Sequence, residues 1–167
     1  MLARLKSLFA GAPVTSATDL DDRMMVRALD LACDAAAIGE VPVGAVIVGP
    51  EGEIIARAGN ATRALNDPSA HAEMIVIREA CKIAKSERLT RCDLYVTLEP
   101  CAMCAAAISF ARIAKLYFAA PDPKGGAVEH GPRFFTQPTC HHAPQVYGGI
   151  DETRAGALLK SFFKARR

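Results

Sequence analysis

Residues 94–104 have the sequence LYVTLEPCAMC, and the fold is decided there. The first five residues are apolar or β-branched, which predicts a strand. Pro100 suits a helix start, and we expect a helix from Cys101 to about Phe110. The apolar segment 115–119 predicts the next strand. A strand, a helix and a strand in this order form a right-handed crossover between parallel strands, so at least part of the sheet is parallel.

The remaining segments add strands and helices around this unit. Apolar residues at helical spacing predict helices over 20–38, over 70–85 and from Glu152 onward. Short apolar runs predict a hairpin of strands 43–48 and 53–58 and a short fifth strand over 146–150. We therefore expect an α/β domain over residues 19–167, a three-layer α/β/α sandwich with a mixed, about five-stranded central sheet.

The first 18 residues contain two basic residues and no acidic one. Their apolar run, 8–14, is interrupted by Gly11 and Pro13, which argues against a secretory signal. We expect residues 1–18 to form a flexible N-terminal extension. No apolar run in the chain is long enough to cross a membrane, so no membrane partner is predicted.

The composition is that of an ordinary globular protein. The chain has 167 residues, 51% of them hydrophobic and 23% charged, and is large enough to bury a core. Its formal net charge of +2 neither requires nor excludes a nucleic-acid partner. Six cysteines in a chain of this length do not suggest a disulfide framework, which predicts a reducing compartment, the cytoplasm.

Cys101 and Cys104 are three residues apart, so at a helix start they can point at one ion. A helix N-terminus also lowers a thiol pKa and favours the thiolate that a metal needs. His71 would complete a Cys₂His set, which is used in catalytic zinc sites with water in the fourth position. Glu73, next to His71 in the first turn of the predicted helix, would lie near that water as a general acid and base.

Other interpretations of the same residues stay open. Cys-x-x-Cys by itself also occurs as a structural zinc knuckle, as a redox pair or as two buried thiols. A structural zinc site would use a fourth protein ligand and would not need Glu73. The surrounding pattern of strand and helix is not typical of a thioredoxin.

The joint pattern His-x-Glu, 26 residues, Pro-Cys-x-x-Cys is similar to the signature of zinc deaminases. Over residues 20–167 the chain resembles the bacterial tRNA-specific adenosine deaminases, a family within the cytidine deaminase superfamily. The resemblance rests on these residues: 40–46 (EVPVGAV), Asn60, 67–73 (DPSAHAE), 94–104, Arg112 with Ile113, Asp122 with Lys124, and the pair Phe162 and Phe163.

The resemblance implies one Zn²⁺ ion per chain, held by His71, Cys101 and Cys104, with Glu73 carrying protons. It also implies a homodimer that hydrolyses the wobble adenosine of a tRNA anticodon loop to inosine. The implied substrate contacts are Asn60, the backbone at Ala70, Asp122, Phe162 and Phe163. Helical spacing of the two phenylalanines with Leu158 and Leu159 favours core packing for at least one of them.

Two other functions remain open. A deaminase of a free base or nucleoside, such as guanine or cytosine, would share the metal chemistry. A non-catalytic zinc or RNA-binding module would need only the metal. A basic C-terminus favours a polynucleotide substrate, although a charged helix end is usually just solvated; its residues are Lys160, Lys164, Arg166 and Arg167.

Overall fold

The computed structural model describes residues 17–166, with side chains from residue 19 onward. Residues 1–16 of the predicted N-terminal extension lie outside the described part. The elements in chain order are α1 (Ala17–Ala37), β1 (Gly44–Val48), β2 (Ile54–Gly59), α2 (Ala72–Ala84), β3 (Asp93–Leu98), α3 (Ala102–Phe110), β4 (Lys115–Ala120), a 3-10 turn (Phe134–Thr136), β5 (Gln145–Gly148) and α4 (Glu152–Lys164).

The five described strands form one mixed sheet in the order β2-β1-β3-β4-β5. β1 runs antiparallel to both of its neighbours, whereas the pairs β3–β4 and β4–β5 are parallel. The helix between β3 and β4 is α3, as expected for a crossover. The predicted hairpin and partly parallel five-stranded sheet are therefore confirmed.

Two hydrophobic cores lie on opposite faces of this sheet. Residues from α2 and α3 pack with one set of alternating strand residues, such as Leu94 and Val96, and residues from α1 and α4 pack with the other set, which includes Tyr95. Because β3 is covered on both faces, its residues 94–97 are all buried, without the alternation of a half-exposed strand. The predicted three-layer α/β/α sandwich is confirmed.

All three tyrosines of the chain form one stack on the α1 and α4 face of the sheet. Tyr95, Tyr117 and Tyr147 occupy matching positions on β3, β4 and β5. The ring centroids of Tyr95 and Tyr117 are 4.4 Å apart, and those of Tyr117 and Tyr147 are 4.8 Å apart. The Tyr95 hydroxyl donates a 2.6 Å hydrogen bond to Asp21 of α1, which ties the first helix to the stack.

Two details of α2 differ from the prediction. The helix begins at Ala72, so His71 is its N-cap in extended backbone and does not lie in the first turn. The helical pattern predicts that Met74, Ile77 and Cys81 face the core; Ile77 is buried and Cys81 packs against the core, but Met74 is only half-buried. The buried residues of the helix are Ala72, Glu73, Val76, Ile77 and Ala80, and alanine at two of these positions lets the helix approach the sheet closely.

Gly44 marks the point at which α1 crosses β1 most closely. A Cβ there would lie 2.0 Å from the carbonyl oxygen of Ala28 and 2.8 Å from the backbone nitrogen of Ala32. Backbone atoms of a helix cannot move aside without shifting the whole helix. The glycine is therefore required by the packing of the first helix on the sheet.

We expect Gly44→Ala to destabilise the protein by about 1–3 kcal/mol, the usual cost of overpacking a core, or by more if α1 is displaced. Thermal unfolding measures this change. Gly156→Ala is the matched control, because a Cβ at this position in α4 would meet nothing within 4 Å. That control should raise stability by roughly 0.5–1 kcal/mol through helix propensity. Equal melting temperatures for the two variants would contradict the assigned packing.

Candidate metal and catalytic site

His71 and Cys101 are the N-cap residues of α2 and α3, and their side chains face each other. Both have extended backbone, with ψ of 150° and 174°, and neither side chain caps its own helix. Cys104 occupies the third position of α3, and an N-cap side chain normally lies beside that position. The two helix starts therefore direct one imidazole and two thiols to one point.

The distances within this group fit a zinc ion. His71 Nδ1 lies 3.7 Å from Cys101 Sγ and 3.5 Å from Cys104 Sγ. Tetrahedral zinc, with bonds of about 2.3 Å to sulfur and about 2.0–2.1 Å to nitrogen, places such atoms about 3.6 Å apart. Within residues 17–166 this is the one group of three or more candidate ligands, and it has no fourth member. The set therefore fits zinc with one position open.

Hydrogen bonds among the three groups shift their pKa values. The hydrogen bond from the Cys104 thiol lowers the pKa of Cys101 to about 4, and the same bond raises the pKa of Cys104. The hydrogen bond with Cys101 raises the pKa of His71. One thiolate is thus already favoured. Metal binding requires deprotonated ligands, so a bound ion would displace the remaining thiol and imidazole protons.

Glu73 lies beside the ligand group without belonging to it. The residue is 4% exposed in the first turn of α2, and its carboxyl group interacts with the Cys104 thiol. Burial raises the pKa of Glu73, because desolvation disfavours the carboxylate. A carboxyl group with a raised pKa near an open metal position can both accept and return a proton.

Asn60 and Ala70 lie in the loop that leads to His71. The Asn60 side-chain oxygen accepts a 2.8 Å hydrogen bond from the backbone N–H of Ala72, and so supplies the cap that His71 does not make. Ala70 is buried, and its backbone donates to Asp67 O and accepts from Ala61 N. Both predicted base-binding residues are therefore fixed in place in the loop that leads to His71.

Sequence reasoning missed Glu99, which organises the loop on the other side of the site. Its buried carboxylate accepts backbone hydrogen bonds of 2.8–3.1 Å from Asp122, Val128, Glu129 and His130. The His130 Nδ1 atom lies 2.7 Å from the same carboxylate. An acidic residue between an apolar strand and the proline of a helix start was the available signal, because it had to be buried.

The close approach of this loop also depends on Gly126. A Cβ there would lie 2.5 Å from Glu99 Cδ. Asp122, at the start of the loop, accepts backbone hydrogen bonds from Lys124 and Gly125 through Oδ1, so its side chain shapes a turn. The predicted substrate residue Asp122 is thus held by its own turn and by Glu99.

A groove of about 930 Å³ separates this loop from α4. We call it the α4 groove; its lining includes Val41, Leu98, Asp122, Lys124, Lys160, Phe163 and Lys164. Leu98 is three residues before Cys101, which limits their Cα separation to about 11 Å. Phe163 is 48% exposed, whereas Phe162 is buried, so the expected core packing of one phenylalanine is confirmed and Phe163 is the one in the groove.

This fold and this ligand set are those of a known class of enzymes. A family model described as the cytidine and deoxycytidylate deaminase zinc-binding region matches residues 18–120. The chain is therefore a zinc-dependent deaminase with a cytidine deaminase-like α/β fold. Within residues 17–166, no helix is long and apolar enough to span a membrane.

Individual relatives narrow the class further. The tRNA-specific adenosine deaminase of Agrobacterium fabrum is 63% identical over 128 residues, which are 77% of this chain and 84% of that protein. A structure from a study of A-to-I editing by tRNA:A34 deaminases is 60% identical with a TM-score of 0.80, covering 82% of this chain and 99% of its own. A guanine deaminase from Bacillus subtilis is 44% identical with a TM-score of 0.58, covering 60% and 64%. This chain belongs to the tRNA-specific adenosine deaminase family.

We propose His71, Cys101 and Cys104 as the zinc ligands, and this assignment predicts the metal content of variants. Cys101→Ala and Cys104→Ala each remove one of three ligands and should lower zinc well below one ion per chain. Elemental analysis of the purified proteins measures the ratio. Cys140→Ala is the control, because Cys140 is a free, half-buried thiol outside the group. Full zinc occupancy in either ligand variant would rule out the assignment.

Glu99→Gln tests the loop anchor. Glutamine keeps one acceptor oxygen but turns an NH₂ group toward N–H donors, so at least one buried donor loses its partner at a cost of about 1–3 kcal/mol. We expect a lower melting temperature with zinc content unchanged, since Glu99 is not a ligand. Glu129→Gln is the control, an exposed residue of the same loop. A Glu99→Gln protein as stable as the wild type would show that the carboxylate does not hold the loop.

Proposed function

We propose that this protein hydrolyses adenosine to inosine at the wobble position of a tRNA anticodon loop, using one zinc ion per chain. The observation that carries the proposal is the α4 groove, whose lining includes Leu98, three residues before Cys101. Three lysines and an exposed aromatic ring line it: Lys124, Lys160, Lys164 and Phe163. Lysines suit phosphates, and an exposed ring suits an unstacked base of a single-stranded loop.

An anticodon loop fits such a site energetically. Its bases are only partly stacked, so extruding one costs a few kcal/mol at most. A free-base deaminase needs no lysine-lined groove outside the pocket for the base. The names of the relatives with high identity over most of their length support the same substrate.

Zinc, when bound by His71, Cys101 and Cys104, would lower the pKa of a water molecule and so supply a nucleophile at neutral pH. Glu73 would accept the proton that this water loses. Because burial raises the pKa of Glu73, its carboxyl group holds that proton until the ring takes it.

The proton balance of the reaction requires one group that transfers two protons, one after the other. Water supplies the oxygen that replaces the C6 amine, and its two protons end on ring nitrogen N1 and on the departing ammonia. Glu73 would deliver the first proton to N1, then accept the second from the C6 hydroxyl and pass it to the amine. A single buried carboxyl group next to the ligands meets this requirement.

Substrate contacts follow from the places of the remaining predicted residues. The Asn60 amide nitrogen has no acceptor among the described residues and would donate to the base. The Ala70 N–H is used within its loop, but its carbonyl keeps a free lone pair for a donor on the base. Phe163 would stack on a neighbouring base, with Phe162 beneath it, and Asp122 would border the nucleotide backbone.

The same proposal covers assembly and location. Residues 19–167 would form the deaminase domain, supported by a family match that begins at residue 18, with residues 1–18 outside it. A homodimer is supported by Ile83 and Phe110, at the ends of α2 and α3, whose side chains are 57% and 65% exposed. The cytoplasm is supported by six free cysteines and by the tRNA substrate.

Incubating the purified protein with total tRNA and, separately, with free adenine, guanine, cytosine and their nucleosides tests the proposal. Nucleoside analysis of the digested tRNA should reveal inosine, and the small compounds should stay unchanged. Deamination of a free base without inosine in tRNA would replace this function by that of a base deaminase. Zinc binding without deamination of any of these compounds would favour a non-catalytic zinc or RNA-binding module.

Glu73→Gln should keep zinc and the melting temperature but lower the deamination rate by roughly 100- to 10,000-fold, the range for loss of a general acid and base. Single-turnover inosine formation measures the rate. Glu79→Gln is the control, because Glu79 is an exposed residue of the same helix that pairs with Lys82. Near wild-type turnover in Glu73→Gln would remove Glu73 from the mechanism.

A further inference from the structure

Two arginines meet over the turn that follows α1. Arg63, in the loop after β2, donates a hydrogen bond from Nη1 to the carbonyl oxygen of Gly39 at 3.1 Å. A Cβ at Gly39 would lie 3.7 Å from Arg63 Nη1 and also 3.7 Å from Arg166 Nη2. The Arg63 Nη1 and Arg166 Nη2 atoms are therefore separated by no more than twice 3.7 Å. We call Arg63 and Arg166 the arginine pair.

Each guanidinium of the arginine pair is held in a defined position. Arg166 lies over the Phe162 ring, 3.6 Å from its centroid, and donates from Nη1 to the Phe162 carbonyl oxygen at 3.3 Å. Arg63 is fixed by Gly39. A guanidinium has five N–H donors, so both groups keep donors for a ligand, and both residues are exposed. The pair is preorganised on the surface.

No salt bridge within the described part of the chain neutralises the charge of the arginine pair. Among the described residues neither arginine forms an ion pair. Glu40 lies close to Arg63, but its carboxylate accepts hydrogen bonds from Thr62 Oγ1 and from the backbone of Arg63 and Ala64. The Glu40 carboxylate offsets part of the positive charge of Arg63 but does not bridge Arg63 and Arg166. Two adjacent guanidiniums with free donors, and with no bridging acid among residues 19–166, form a suitable site for an anion with several oxygens.

The arginine pair lies beside the α4 groove. Gly39 is two residues before Val41, and Arg166 is two residues after Lys164, and both Val41 and Lys164 line the groove. The Phe162 ring under Arg166 packs edge-on against Phe163, with centroids 5.4 Å apart. A cation, a buried ring and the exposed ring in the groove are thus in sequential contact. An RNA strand that leaves the groove at this end would pass the arginine pair.

We propose that the arginine pair binds a phosphodiester of the RNA strand next to the deaminated nucleotide. This inference rests on the proposed function and extends it to a second contact region. Phosphate is the expected ligand because guanidinium groups bind its oxygens in a two-pronged geometry, and because phosphates occur at regular intervals along the strand that the groove would hold.

Equilibrium binding of an anticodon stem-loop, measured as a function of salt, tests the arginine pair. The protein is the full zinc-loaded chain carrying Glu73→Gln, so that the RNA is not converted. Adding the double change Arg63→Gln/Arg166→Gln should lower the slope of log affinity against log salt by about 0.7–0.9, because the pair holds one phosphate. Arg27→Gln is the control, an exposed arginine in the middle of α1 that faces Asp30 and should leave the slope unchanged.

Kinetics with otherwise wild-type enzyme add a second readout. The double variant Arg63→Gln/Arg166→Gln should raise KM for the stem-loop and leave kcat unchanged, because the contact is equal in the ground and transition states. Arg166→Lys should restore the salt slope but not the full affinity, since lysine keeps the charge and loses the fork. A stem-loop in which a neutral methylphosphonate replaces that phosphodiester should be bound equally by all variants, because the charge that the pair would contact is gone.

The outcomes separate the two proposals. Inosine formation by the wild type, together with an unchanged salt slope and KM in the double variant, would overturn the arginine pair and leave the proposed function standing. A wild-type enzyme that deaminates only free bases would overturn both. If Arg27→Gln lowered the salt slope as well, the effect would come from general surface charge. That outcome would also overturn the proposed role of the arginine pair.

Discussion

The site depends on two helix N-termini that converge at His71 and Cys101. Each helix start carries partial positive charge and unsatisfied N–H groups, and convergence would be unfavourable without anionic or accepting groups between them. Thiolate sulfur and the Asn60 oxygen meet this need. A divalent cation between two thiolates and a neutral imidazole adds no net charge. The proposed metal ligands are thus also the groups that make this helix arrangement electrostatically acceptable.

Two buried carboxylates hold the loops on either side of these helix starts. Glu40 receives hydrogen bonds from the loop that carries Asn60, and Glu99 receives them from the loop that carries Asp122. For both residues burial alone would raise the pKa, but several donors outweigh it and the pKa is lowered. Both therefore remain ionised near neutral pH. Rigid loops without regular structure become possible because one charge satisfies many backbone donors.

Much of the fold and the ligand set could be predicted from the sequence, because strand and helix periods and ligand types are local signals. The shift of His71 from the first turn to the N-cap could not, since helix boundaries depend on what the side chain must reach. Glu99 was missed because its partners are distant in sequence. The difference between Phe162 and Phe163 depends on how α4 docks, and spacing could predict only that one of them is buried.

The tyrosine stack gives this protein an intrinsic spectroscopic signal. The chain has no tryptophan, and its three tyrosines lie in one row across β3, β4 and β5. Aromatic circular dichroism above 270 nm therefore arises mainly from one face of the sheet, opposite the core of α2 and α3 that carries the metal ligands. A perturbation confined to the ligand helices would leave this signal in place, whereas loss of global packing would abolish it. Spectroscopy without any added label can thus distinguish local opening at the ligands from unfolding of the domain.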